Sequence, residues 1–275
     1  MAVRLPVQSF WDELARIYRT LGPPTTPADE DLGFIREAID IWTAHHPEGG
    51  LRALLLGVTP AIAGMHWPEG SSLLAIDRSI DMINAIWPGD IAEKRRAVCA
   101  DWRALPLPEA SLGVVIGDGI VSCIRYPEGL CELATRIRRA LRGDGIFVLR
   151  PFVQSEQRED PEALLSDLDG CPSFYHFIMR LLMAVQQCPQ RGVPVHEVYR
   201  LWIERGMKQQ VLAAHPEWEK RDIDTVEFFN DSDTVHTFPT LRELRSVLLQ
   251  FFEEVCLSTP SYPFGDRYPT LVLRP

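Results

Sequence analysis

The sequence predicts an α/β fold: a doubly wound, mostly parallel sheet of seven strands, with N-terminal helices and a helical insertion after the fifth strand. Three observations carry this expectation. Five short apolar runs between residues 50 and 150 are bounded by turn residues and separated by helix-like segments, the pattern of a parallel sheet covered on both faces. After Pro151 the alternation stops, and residues 153–235 read as largely helical. It then resumes with one helix and two more strand-like runs.

Taken in order, QSFWDELARIYRT at 8–20 places Phe10, Trp11, Leu14, Ile17 and Tyr18 on one helical face, and Gly22-Pro23-Pro24 ends it. A second helix runs from about Asp29 to His45, with Phe34, Ile35, Ala38, Ile39 and Trp42 as its stripe, and Gly49-Gly50 breaks the chain. Strands follow at Arg52–Leu56, Leu73–Ile76, Ala97–Cys99, Gly113–Ile116 and Gly145–Leu149, with helices at about 60–65, 80–87, 91–95 and 128–141. Right-handed crossovers wind these into one sheet. The insertion contains FYHFIMRLLMAVQQ at 174–187 and VHEVYRLWIERGMKQQVLAA at 195–214, both helical in pattern. A helix at Leu241–Phe251 and strands at Glu254–Ser258 and Thr270–Leu273 close the chain.

The expected organisation is a single domain, 1–275. Helices occupy 1–48, the ligand-binding core 50–152, the insertion 153–235, and the last helix and strands 236–275. Ligands of open α/β sheets bind at the carboxyl ends of the strands. An insertion leaving strand five lies beside that edge and can act as a lid; the alternative is packing on the outer helices.

Composition narrows the function. A hydrophobic fraction of 46% and a charged fraction of 24% are those of a soluble globular chain. A net charge of −10 opposes binding to a nucleic-acid backbone. No run approaches the roughly 20 apolar residues of a membrane span, and MAVRLPVQSFWDELARIY does not read as a secretory signal. The six cysteines show no C-x-x-C spacing, so free thiols in the cytoplasm and no metal site are expected. The sequence also lacks H-E-x-x-H, a phosphate-loop G-K-[ST] and a G-x-S-x-G elbow.

The chemistry-bearing residues stand at the strand ends. Strand one runs into Gly57-Val58-Thr59-Pro60, where glycine permits a tight turn and Thr59 can cap a helix whose first turn suits Pro60, so that the loop presents a helix N-terminus to a ligand. Strand two ends in Asp77, followed by Arg78, about twenty residues past Gly57. An acid so placed grips the hydroxyls of a ribose; the alternative is capping the next helix. Strand three ends in Asp101-Trp102, an acid beside a flat aromatic, suited to an adenine; the alternative for Trp102 is packing in the core. Strand four ends in Gly117-Asp118-Gly119, an acid that can meet a cationic ligand group or the substrate. A glycine turn and three acids in strand order complement an adenosine with a positively charged tail.

This arrangement resembles the class I S-adenosylmethionine-dependent methyltransferases, strongly over 50–152 and again over 236–275. LRALLLGVTPAIA stands where that family has its first motif, and SLLAIDRSIDMI where it has the acidic end of strand two. ADWRALPLPEASLGVVIGDGI and LCELATRIRRALRGDGIFVLRPF stand where it has the adenine side, strand four and strand five. The first motif departs from the family pattern, with Leu55 in the place of the acid and Thr59 and Ala61 in the places of later glycines. The resemblance implies a seventh strand antiparallel to the others, inserted between the fifth and sixth.

It further implies S-adenosyl-L-methionine as cofactor, held by Gly57, Val58, Thr59, Pro60, Asp77, Arg78, Asp101, Trp102, Asp118 and Gly119. The expected reaction is methyl transfer to oxygen or nitrogen of a small-molecule acceptor. If the acceptor must lose a proton, candidate bases are His176, His196 and His236, with His176 and His236 favoured because they lie in or beside the insertion. Tyr126 and Tyr175 are candidate positioning groups. Two other functions are open at this stage: a methyltransferase-like binding protein without turnover, and a nicotinamide-dependent oxidoreductase. The latter would usually show G-x-G-x-x-G, which is absent.

Overall fold

The computed structural model describes residues 10–104, 106–164 and 167–275. The first two residues of the helix expected at 8–20 therefore lie outside the described residues. Helix α1 spans Phe10–Ile17 and continues as a 3-10 turn, Tyr18–Thr20; α2 spans Asp29–Ala44. Strands β1 (Arg52–Leu56), β2 (Ser72–Asp77), β3 (Arg95–Cys99), β4 (Leu112–Asp118) and β5 (Leu141–Arg150) alternate with α3 (Pro60–Ala63), α4 (Ile80–Ile86) and α5 (Glu128–Ala140). The insertion holds α6 (Phe174–Val185), α7 (Val195–Glu204) and α8 (Met207–Ala214), and the chain closes with α9 (Leu241–Leu248), β6 (Glu253–Ser258) and β7 (Thr270–Arg274).

The seven strands form one sheet in the order β3-β2-β1-β4-β5-β7-β6. The first five are parallel, and β7 lies antiparallel between β5 and β6, where the resemblance placed it. The order reverses between β1 and β4, so their carboxyl ends diverge from adjacent strands and leave a crevice there.

Period-two alternation sorts each strand's side chains onto two faces. Leu54, Val115 and Phe147 pack with α5 and α9 on one side; Leu55, Val114 and Val148 pack with α2 on the other. Gly113 is required by this second layer, because a Cβ there would stand 2.5 Å from the Trp42 ring. The insertion has a separate core around Phe174, Phe177, Trp202 and Phe238.

Two expected helices differ from the structure. Residues 91–95 form a turn in which Ile91 pairs with Arg95 and Glu93 takes φ 62°; the eight residues between α4 and β3, 87–94, leave no room for a helix. The stretch 195–214 is split at Gly206, whose φ of 57° ends α7 and begins α8, a conformation glycine adopts without steric cost. Val193–Pro194 and Val235–His236 form a small antiparallel ribbon. That ribbon closes the insertion and fixes the position of His236.

Candidate active site

A cavity of about 280 Å³ opens at the carboxyl ends of the parallel strands. Gly57, Thr59, Asp77, Arg78, Asp101, Trp102, Asp118 and Gly119, from the loops after β1 to β4, all contribute to its wall. The chain turns at Gly57 with φ 95° while its amide donates to the Ile76 carbonyl at 2.7 Å. A Cβ at Gly57 would find only Asp77 Oδ2, 4.0 Å away, so the backbone here is open to a ligand.

Asp77 is the last residue of β2. Its Oδ1 accepts from the Ser79 amide at 2.8 Å, while Ser79, not Asp77, caps α4 by accepting from the Met82 amide at 3.1 Å. Burial raises the Asp77 pKa against the pull of the Ser79 amide. Asp101 is engaged by Arg103, whose Nε and Nη2 donate to its two oxygens at 3.1 and 2.8 Å. These bonds hold its carboxyl down at about 2. Because both side chains of this pair are over a third exposed, the pair contributes little stability and is free to rearrange around a ligand. Trp102 donates its indole N–H to the Ile76 carbonyl at 2.6 Å, which fixes the plane of the ring beside Asp101.

The loop after β1 differs from expectation in three ways. Val58 is 2% exposed and packs in the core with Ile62, and neither Val58 nor Pro60 presents a side chain to the cavity. Helix α3 has only four residues, too short to present a substantial macrodipole to a ligand. The Thr59 hydroxyl does not cap it; it donates to Asp118 Oδ2 at 3.1 Å. Thr59 therefore ties the first loop to the end of β4, in a place where the resemblance led one to expect glycine.

Asp118 is held from its other side by Arg150, the last residue of β5, at 2.8 Å. Arg150 also faces Asp31 of α2 at 3.3 Å and donates to the Pro24 carbonyl at 2.8 Å. Asp31 in turn accepts from the Tyr262 hydroxyl at 3.1 Å. One guanidinium thus serves two carboxylates in a dry environment, and burial raises the Asp118 pKa against the pull of Arg150 and the Thr59 hydroxyl. Burial alone would lower the Arg150 pKa; Asp118 and Asp31 more than offset that and hold it up.

The rest of the wall comes from elements that the sequence did not connect with the site. Phe10, Trp11, Leu14 and Tyr18 of α1 and its 3-10 turn face the cavity, as do Thr225, Phe228 and Phe229 of the 3-10 turn Asp224–Phe229. From α6, Tyr175, Ile178, Met179 and Leu182 line it at helical spacing. The α1 face looked like ordinary core in the sequence; its density of aromatics was the signal available. For Arg150, the signal was a cation closing an otherwise apolar strand, level with the acid that closes β4.

The candidate bases separate cleanly. His176 is on a different face of α6: its Nδ1 bonds the Ser173 hydroxyl at 2.8 Å, its ring lies near Phe264, and burial lowers its pKa to about 4. It does not line the cavity. His196 lies on a separate surface cleft and bonds the Ser232 carbonyl, and Tyr126 donates to the Glu243 carbonyl, outside the cavity. His236 does line it, with Nδ1 3.2 Å from the Ser122 carbonyl, just beyond Asp118 and Gly119. Phe10, Trp11 and Phe238 meet the His236 ring edge-on or tilted, and burial lowers its pKa against the pull of that carbonyl. On its outer side it borders a shallow cleft containing Asp12, Asp81 and Asp233.

No protein-family model matches the chain, and no curated protein is detectably similar to it in sequence. Solved structures are similar in fold. The CcbJ methyltransferase from Streptomyces caelestis is 14% identical, with 97% of this chain and 98% of that one covered and a TM-score of 0.55. A chain from Rhodobacter sphaeroides, provisionally assigned to the Zn-dependent alcohol dehydrogenases, is 14% identical with 96% of each chain covered and a TM-score of 0.58. A chain of the complex between the Haloferax volcanii Trm112 methyltransferase activator and its provisionally assigned methyltransferase is 14% identical, with 99% of each covered and a TM-score of 0.50. Sheet order and these likenesses together give the Rossmann-like methyltransferase fold. Among the described residues, no three His, Cys, Asp or Glu side chains converge as a zinc site would need, and no helix is long and apolar enough to cross a membrane.

Proposed function

We propose that this protein is an S-adenosyl-L-methionine-dependent methyltransferase acting on a small molecule. The observation that carries this reading is the convergence of Gly57, Asp77, Asp101 and Asp118 on one cavity at the point where the strand order reverses. Asp77 offers Oδ2 beside the open backbone of Gly57, a place for ribose hydroxyls. Trp102, with the Asp101–Arg103 pair, offers a flat face and hydrogen-bonding edges for adenine. The Asp118 carboxyl lines the cavity in front of Arg150, and a cationic tail, such as the sulfonium and ammonium of the methionine part, would favour its ionised form. Thr59 keeps Asp118 aimed there.

The bound cofactor supplies a methyl group already activated by its positive sulfur. The protein's share is to bring acceptor and donor together and to exclude water. Helix α1 and the insertion do the latter by roofing the strand ends with apolar side chains. Of the candidate bases only His236 reaches this space, and burial keeps it neutral and able to take up a proton. Calorimetric titration with S-adenosylmethionine and S-adenosylhomocysteine tests the reading: micromolar binding, weakened roughly 10–100-fold in Asp77→Ala, is expected. Failure of both compounds to bind the intact protein overturns it.

A further inference from the structure

The cavity has two chemically distinct halves. Every charged residue of its wall, Asp77, Arg78, Asp101, Arg103, Asp118 and Arg125, comes from a loop at a strand end. The wall supplied by α1, α6 and the Asp224–Phe229 turn carries no charge: Trp11, Ile178, Met179, Leu182, Phe228 and Phe229 are representative. The phenol of Tyr175, the polar group that α6 contributes, is occupied by Asp222 at 2.8 Å. An ionised ligand group pushed into this half would lose its hydration and meet no counter-charge, which is costly. A flat ring would instead meet aromatic edges and the polarisable Met179 thioether.

His236 borders this half and offers it a nitrogen acceptor. The Ser122 carbonyl can only accept, so it fixes the proton of a neutral His236 on Nδ1 and leaves Nε2 with a free lone pair. The Thr237 amide also donates to the same carbonyl, at 3.1 Å, which holds the carbonyl in place. Arg78, Asp12, Asp81, Asp233 and the Cys123 thiol are the titratable or charged groups that face His236 from the elements around it, and burial pushes that thiol up to about 11.

We infer that the methyl acceptor is an uncharged hydroxyaromatic molecule, seated against the aromatic wall with its hydroxyl on His236 Nε2. This rests on the methyltransferase reading and names the substrate class for the same site. In the transfer, the acceptor oxygen forms its bond to the methyl carbon as the carbon–sulfur bond breaks. The electron pair of that bond stays on the sulfur, which becomes a neutral thioether, and the hydroxyl proton passes to His236 and then to solvent.

The test is calorimetry at pH 7.5 on protein saturated with S-adenosylhomocysteine, using 2-naphthol, 2-naphthoate and 2-naphthylmethylammonium as probes. We expect 2-naphthol to bind at least tenfold more tightly than either ion. In His236→Phe, which preserves an aromatic wall but removes the acceptor nitrogen, 2-naphthol affinity falls at least fivefold while S-adenosylhomocysteine affinity stays within twofold. Equal or tighter binding of naphthoate or of the ammonium probe, or unchanged naphthol binding in the variant, overturns the inference and leaves the cofactor reading standing. If S-adenosylhomocysteine itself does not bind, both fall together.

Discussion

Replacing Arg150 by Met removes a cation while keeping most of the side chain's length and apolar bulk. In the parent, the Arg150 side chain is 0% exposed and lies 2.8 Å from Asp118 and 3.3 Å from Asp31, whose own side chains are 4% and 1% exposed. The contact with Asp31 is ionic, since Arg150 Nε lacks a well-aligned hydrogen bond. Removing one partner of a buried pair typically costs about 3–5 kcal/mol, because the other charge is left without compensation. Here two carboxylates are orphaned, but Asp118 retains the Thr59 hydroxyl and Asp31 the Ala28 amide and Tyr262 hydroxyl. The lower end, about 3 kcal/mol, is therefore expected at pH 7.5.

The loss should depend on pH. Burial raises the Asp118 pKa even against the pull of Arg150, and without the guanidinium the folded state holds that proton more tightly still. The penalty is then largest at high pH, above that raised folded-state value, and fades as pH falls toward the ordinary carboxylate range. Urea unfolding followed by tryptophan fluorescence at pH 5.5 and 8 measures both effects. A variant within 1 kcal/mol of the parent at both pH values, with no trend between them, refutes the electrostatic account of this cluster.

Three further outcomes are expected. Asp77→Ala should weaken S-adenosylhomocysteine binding by roughly 10–100-fold, the loss of one charge-assisted hydrogen-bonding group, with an unfolding midpoint close to the parent's; tight binding by the variant removes Asp77 from the site. Gly57→Ala meets no clash, so its cost, about 1–2 kcal/mol, comes from holding alanine at φ 95°. Loss of ligand binding well beyond the fraction unfolded would show that the turn also admits the ligand. For His176, whose folded-state pKa of about 4 lies below its unfolded value of 6.5, the stability of the neutral form is fully present above pH 6.5. It declines as pH falls toward 4, and His176→Leu should flatten that decline by an amount on the order of 2 kcal/mol; equal acid sensitivity of the two proteins in urea titrations at pH 4.5 and 7 contradicts this.

How far the sequence could be read depends on the range of the interactions involved. Strand β1 and the long helices α2 and α5 are specified by nearest-neighbour patterning, so their bounds fall close to those expected. Residues 91–95 misled because one turn of apolar and charged residues looks helical in isolation, while the spacing of α4 and β3 leaves no space for it. The single glycine at 206 was too weak a break to register against a continuous apolar stripe.

The site divides in the same manner. Gly57, Asp77, Asp101 and Asp118 could be named because strand ends in a parallel sheet must gather at one edge, and the order of the acids along the chain maps onto that edge. What chain order could not decide was which distant segments cover it and which charges are already spent. Packing brought α1 across the opening, turned His176 away by its angle on α6, and brought His236 in through a two-residue ribbon. It also matched Arg150 to Asp118 and Asp31, residues 32 and 119 positions away along the chain by number (150 − 118 and 150 − 31). Hydrophobic periodicity is local and survives in the sequence; a buried charge finds its partner only when the chain has closed around it.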